Sequence, residues 1–125
     1  MTMPMVKVHY QPNKVGLPTA KALGDCMAGI VARALTCNDP GGELTDSDVE
    51  VDVAEMSPRM QTRYDLHIEV EANDYPDRRK DLDQRAQRVS EQVRFFFNQH
   101  MLWQPSVPPK GWVWVKLVPA HWVEL

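Results

Sequence analysis

Apolar positions along the chain switch between two periods, and the switches divide it into alternating strands and helices. Val6, Val8 and Tyr10 alternate with Lys7 and His9, the period of a half-buried strand, and Gln11 to Gly16 with Pro12 ends it. Leu23, Met27, Ile30, Val31 and Ala34 then recur at helical spacing, with Pro18 in the first turn, and the pattern fades at Thr36-Cys37-Asn38. Asp39-Pro40-Gly41-Gly42 supplies turn chemistry. From Asp48 the period returns to two, with Val49, Val51 and Val53 on one face and Glu50, Asp52 and Ala54 on the other. After a connector from Ser57 to Thr62, Leu66, Ile68 and Val70 alternate with Asp65, His67, Glu69 and Glu71 as a third strand. Asp74 is placed to cap a second helix, with Pro76 in its first turn and Leu82, Ala86, Val89, Val93, Phe96 and Phe97 as its apolar stripe. A loop from Trp103 to Lys110 leads through Gly111 to a fourth strand, where Val113, Val115 and Leu117 alternate with Trp112, Trp114 and Lys116. The apolar tail from Pro119 to Leu125 suits contact with another subunit.

This order is strand, helix, strand, twice over. Leu23, Met27, Ile30 and Ala34 are matched 59 positions later by Leu82, Ala86, Val89 and Val93, and Val51 and Val53 precede Val113 and Val115 by 62. The pattern predicts an α+β fold: a two-layer sandwich made from a duplicated βαβ unit, with pseudo-repeats at about 4–57 and 63–119. A four-stranded mixed sheet would carry both helices on one face. The other face would hold Lys7, His9, Glu50, Asp52, Asp65, His67, Glu69, Trp112, Trp114 and Lys116.

The 125 residues suit one domain with a real core. Fourteen Lys and Arg interleave with seventeen Asp and Glu, for a net charge of −3, so no basic stripe marks a nucleic-acid partner. The apolar run from Met27 to Ala32 is far too short to span a bilayer, and no secretory signal pattern opens the chain, which points to a cytoplasmic protein without a membrane partner. Cys26 and Cys37 form neither a redox pair nor a disulfide framework. His9 and His67 share the open face with Glu69 and Asp52, but without metal-ligand spacing, so neither a metal nor another cofactor is expected. Arg78, Arg79 and Lys80 are interleaved with Asp74, Asp77, Asp81 and Asp83, and with Arg85 they read as a solvated ion-pair face. His100 and His121 read as surface or interface residues, and Phe95-Phe96-Phe97 as core with one ring off the stripe.

Pro4-Met5-Val6-Lys7-Val8-His9 resembles the start of macrophage migration inhibitory factor and 4-oxalocrotonate tautomerase, and Val49 to Met56 resembles the second strand of the latter. The length, the segment from Tyr64 to Phe97 and the closing strand resemble 5-carboxymethyl-2-hydroxymuconate isomerase. These are branches of the tautomerase superfamily, and the resemblance spans nearly the whole chain. It implies a homotrimer whose N-terminal proline acts as catalytic base in keto–enol proton transfer on a small oxo acid. Pro4 matches that proline, Lys14 falls where the family places a carboxylate-binding arginine, and Glu50 falls where it places a second one. Trp114 and Lys116 fall on the last-strand positions that approach a neighbouring subunit's proline.

The chemistry expected of Pro4 depends on its nitrogen. As a free secondary amine near the usual value of ~8 it is a base that modest desolvation or a nearby cation keeps neutral. Within a chain it is an amide without useful basicity. Met3 ahead of it is initiator-like, and its removal would expose Pro4. Two other classes share the pattern: a non-catalytic trimer serving binding or assembly, favoured by Glu50, and a ferredoxin-like dimeric module, in which the second and third strands would be hairpin neighbours.

Overall fold

The period-two stretches form four strands and the period-3.6 stretches the helices that cover them. The computed structural model describes residues 4–101, 108–119 and 123–125. Strand β1 (Met5–Tyr10) leads to helix α1 (Leu17–Leu35) and strand β2 (Glu50–Glu55). Strand β3 (Leu66–Asn73) leads through helices α2 (Pro76–Lys80) and α3 (Leu82–Met101) to strand β4 (Gly111–Val118). The sheet runs β2-β1-β3-β4, parallel within each half and antiparallel between β1 and β3. This is the mixed α+β sandwich of a doubled βαβ unit. Because β1 separates β2 from β3, the hairpin of a ferredoxin-like module is absent, and that alternative fails.

Register fixes which residues share a face. Val51, Val6, Val70 and Val115 form one cross-strand row, and Val53, Val8, Ile68 and Val113 the next. These rows lie under α1 and α3 with Leu23, Met27, Val31, Val89 and Phe97. Each such side chain contributes about 1.5–3 kcal/mol by leaving water. Helix α1 presses on β2 so closely that a Cβ at Gly24 would meet a Val53 methyl at 2.5 Å.

The second helix differs from its sequence reading. It breaks at Asp81 (φ −135°, ψ 36°) into α2 and α3, and the Asp81 carboxylate accepts from Arg85 Nε at 2.6 Å while its carbonyl accepts from the Arg85 amide at 3.1 Å. Asp74 does not cap α2; the N-cap is Tyr75, and Asp74 instead takes a bond from Arg79 Nε at 2.9 Å. The solvated ion-pair face is also corrected. Arg79 and Lys80 are exposed, but Arg78 is 0% and Arg85 6% accessible.

Both buried guanidinium groups serve the end of α1, whose last carbonyls have no partners within the helix. Arg78 Nε donates to the Leu35 carbonyl at 2.7 Å, while its Nη atoms donate to Asn73 and Gly42 at 3.2 Å each. Arg85 Nη1 donates to the carbonyls of Ala34 at 3.1 Å and Thr36 at 2.8 Å. Burial lowers the pKa of Arg78, opposed by Cys37, Tyr75 and Asp39 around it, with its ring-face contact to Tyr75 at 4.9 Å. The two halves are thus joined by charged bonds as well as by the β1–β3 pairing.

Candidate functional site

Pro4 heads the central strand β1 and is fully buried, with the parity of Val6 and Val8, which places its ring on the helix-covered side. A proline costs nothing at this position, since a strand start needs no amide hydrogen there. Its carbonyl accepts from the Glu50 amide at 3.2 Å, which carries the β1–β2 ladder one step past Met5.

The open face of the sheet is a grid of three rows. Glu50, Met5, Glu71 and Lys116 form the row nearest Pro4; Asp52, Lys7, Glu69 and Trp114 the second; Ala54, His9, His67 and Trp112 the third. Asp65 ends just before β3 and accepts from the Lys110 amide at 3.0 Å, so it is a strand-start residue and not part of the grid. Lys116 Nζ pairs with Glu71 at 2.9 Å and lies 5.3 Å from the centre of the Trp114 ring. The bond to Glu71 raises the lysine's pKa, so its charge is firmly held. Trp114, 56% accessible, presents the largest apolar surface of the grid.

Of the four site residues read from the sequence, the structure brings Trp114 and Lys116 together, in the two rows nearest the Pro4 end. It does not bring Lys14 to them. Lys14 is exposed in the turn after β1, its amide bonded to the Gln11 carbonyl at 3.0 Å, and a strand's length of roughly 20 Å separates it from Pro4. Pro4 and the Trp114–Lys116 pair also lie on opposite sides of the sheet.

In the third row His67 is half-buried. Trp112 stacks on it at 4.4 Å, Tyr64 approaches edge-on at 6.2 Å, and its Nε2 bonds Thr62 Oγ1 at 3.2 Å. Burial and the facing His9 lower its pKa, partly offset by Glu69. Among the described residues no group of three or more His, Cys, Asp or Glu could hold a metal. No helix there is long and apolar enough to cross a membrane. Cys37 is buried and Cys26 exposed, both as free thiols. The tail ends exposed at Val123 and Leu125, while His121, the loop residues 102–107 and the side chain of His100 lie outside the described residues.

Sequence reasoning missed Arg78, Arg85 and Arg94. Arg85 had a signal: it falls three residues after Leu82 and four before Val89, in line with the apolar stripe. Arg94 lines a cavity between α3 and the β3–β4 strands, which no local pattern announces.

No protein-family model and no curated protein matches this chain. A solved structure of native Ps01740 is similar in shape, with a TM-score of 0.56 and 14% identity over 97% of this chain and 99% of that one. The likeness is one of fold.

Proposed function

We propose that the protein is a tautomerase-type isomerase, a homotrimer in which Pro4, as the first residue of the processed chain, takes a proton α to the carbonyl of a small oxo acid. The observation that carries this reading is the β2-β1-β3-β4 order with a buried proline at the head of the central strand. The C–H electron pair moves into the enol double bond, the carbonyl oxygen gains charge, and the proline nitrogen returns the proton to the other end of the conjugated system. A cation near that oxygen lowers the barrier, and Lys14, Lys116 and Trp114 supply charge and a wall against water. Lys14 lies about 20 Å from Pro4 along β1, and Lys116 lies across the sheet, so a site of this composition draws these groups from neighbouring copies. The cytoplasm, where Met3 removal would occur, is the matching compartment.

Intact mass of the natively expressed protein shows whether Pro4 is first. Phenylpyruvate ketonisation then compares the full chain, a form starting at Pro4 and its Pro4→Ala variant. The form starting at Pro4 is expected to exceed the variant by roughly a hundredfold or more. A native chain that begins at Thr2, or equal rates for all forms, overturns the catalytic reading.

Two observations favour a second reading, a non-catalytic trimer for binding or assembly. Glu50 reverses the charge expected at a carboxylate-binding position, and Glu71 already neutralises Lys116. A trimeric mass in solution with no rate above buffer is its expected signature.

A further inference from the structure

A cavity of about 280 Å³ opens between α3 and the start of strands β3 and β4. Its floor is the apolar set Leu66, Ile68, Val93, Phe97 and Val113. Ser90, Arg94 and Asn98 follow one another at four-residue spacing, so successive turns of α3 bring three polar groups to one side of it. Pro108 and Pro109, just before β4, lie on the other side.

Its charge distribution selects a ligand class. Among the described residues of the lining Arg94 is the single charged one, and none is a carboxylate. Two further cavities differ, one having Glu43 and Asp77 in its lining and the other Asp25 and Asp46. Arg63, Arg78, Arg79 and Arg85 all have hydrogen-bond partners, whereas Arg94 has no ion pair or hydrogen bond among the described residues. An apolar floor with one uncommitted guanidinium at its edge matches a molecule with a hydrophobic body and one carboxylate.

We propose that this cavity binds a small aromatic or branched monocarboxylate, its hydrocarbon part on Leu66, Val93 and Phe97 and its carboxylate in the fork of Arg94. The volume lies at the lower end for small-molecule pockets and suits roughly ten heavy atoms. Because β1 and β3 are antiparallel, the Leu66 end of β3 adjoins Tyr10, at the far end of β1 from Pro4. Within one copy the cavity therefore lies a strand's length from Pro4.

The test is calorimetric or ligand-observed NMR titration of the full chain with 3-phenylpropionate and with the neutral alcohol 3-phenylpropanol. The acid is expected to bind at about 1 mM or tighter, and the alcohol about tenfold more weakly. Arg94→Gln, a change at an exposed head group, should weaken the acid roughly tenfold and leave the alcohol unchanged. Ser90→Phe, which fills the cavity from its rim, should abolish both, and Pro4→Ala should change neither. Thermal melts of the variants confirm that they fold. No acid binding at about 10 mM, equal affinity for acid and alcohol, or an unchanged acid affinity in Arg94→Gln overturns the proposal.

Discussion

Arg78 donates its Nε hydrogen to the carbonyl oxygen of Leu35 at 2.7 Å, tying the helical segment of the second βαβ half to the last helical turn of the first. Two further carbonyls, of Asn73 and Gly42, accept from the same guanidinium, and each also accepts a backbone amide at 3.0 Å, from Tyr75 and Cys37 respectively. Arg78→Met keeps the stem but takes the donor from the Leu35 carbonyl and one of two donors from each of the others, and is expected to cost about 1–3 kcal/mol in urea unfolding. Arg78→Lys should recover only part, since an ammonium cannot span three divergent acceptors with the planar fork. A loss below about 1 kcal/mol for Arg78→Met would mean that water replaces the fork at no cost.

Gly24 sets the approach of α1 to β2. Alanine is favoured over glycine in a helix by about 1 kcal/mol, but here its methyl would meet Val53 at 2.5 Å, and overpacking costs about 1–3 kcal/mol. Gly24→Ala should therefore destabilise the wild-type protein. In a Val53→Ala background, where the opposing methyl is gone, the same change should stabilise. A double-mutant cycle reads this reversal of sign directly.

His67 makes folding sensitive to mild acid. Its folded pKa is lowered, chiefly by burial and then by His9, so the neutral ring is the form the fold favours. The stability it contributes is complete above the unfolded value of about 6.5 and declines as pH falls below it. Glu69 works against this shift, and the uncharged Thr62, Tyr64 and Trp112 complete its surroundings. Asp81 acts in a separate window. Its hydrogen bond from Arg85 lowers its pKa, so its contribution is present above the ordinary carboxylate value and lost below about 4. His67→Gln should flatten the unfolding free energy between about pH 7 and pH 5 while leaving the steep loss below pH 4 unchanged.

Lys116 separates structural from catalytic importance. Its pair with Glu71 is about one-third exposed, so Lys116→Met should shift stability by less than about 1 kcal/mol. In the form starting at Pro4, the proposed role predicts a fall of about a hundredfold in phenylpyruvate ketonisation by the same variant. An unchanged rate removes Lys116 from the site.

Strands and helices were legible because residues such as Val6, Val8, Leu66 and Ile68 repeat with the period of the element that buries them. The internal repeat made the doubled sandwich legible as well. What stayed hidden depends on partners distant in sequence. Arg78 and Arg85 look like surface charges because helix periodicity records hydrophobicity, and neither bond to the end of α1, some forty to fifty residues earlier, leaves a local trace. The break at Asp81 is hidden differently: the apolar stripe begins at Leu82, after it, so its period carries no sign of the change. For the candidate site, the sequence placed Trp114 and Lys116 correctly on one strand face, while the distance from Lys14 to Pro4 followed only from the turn that reverses the chain after Tyr10.

The strand order leaves β2 and β4 as the two sheet edges, and they are chemically unlike. On the open face β2 offers Glu50 and Asp52, whereas β4 offers Trp112, Trp114 and Lys116. Two β2 edges side by side would set carboxylate against carboxylate; β2 beside β4 would set carboxylates near a lysine and indole rings. The molecule thus has a polarity across its sheet, and copies joined edge to edge would be added head to tail. An assembly built that way must either curve until it closes on itself or continue without end.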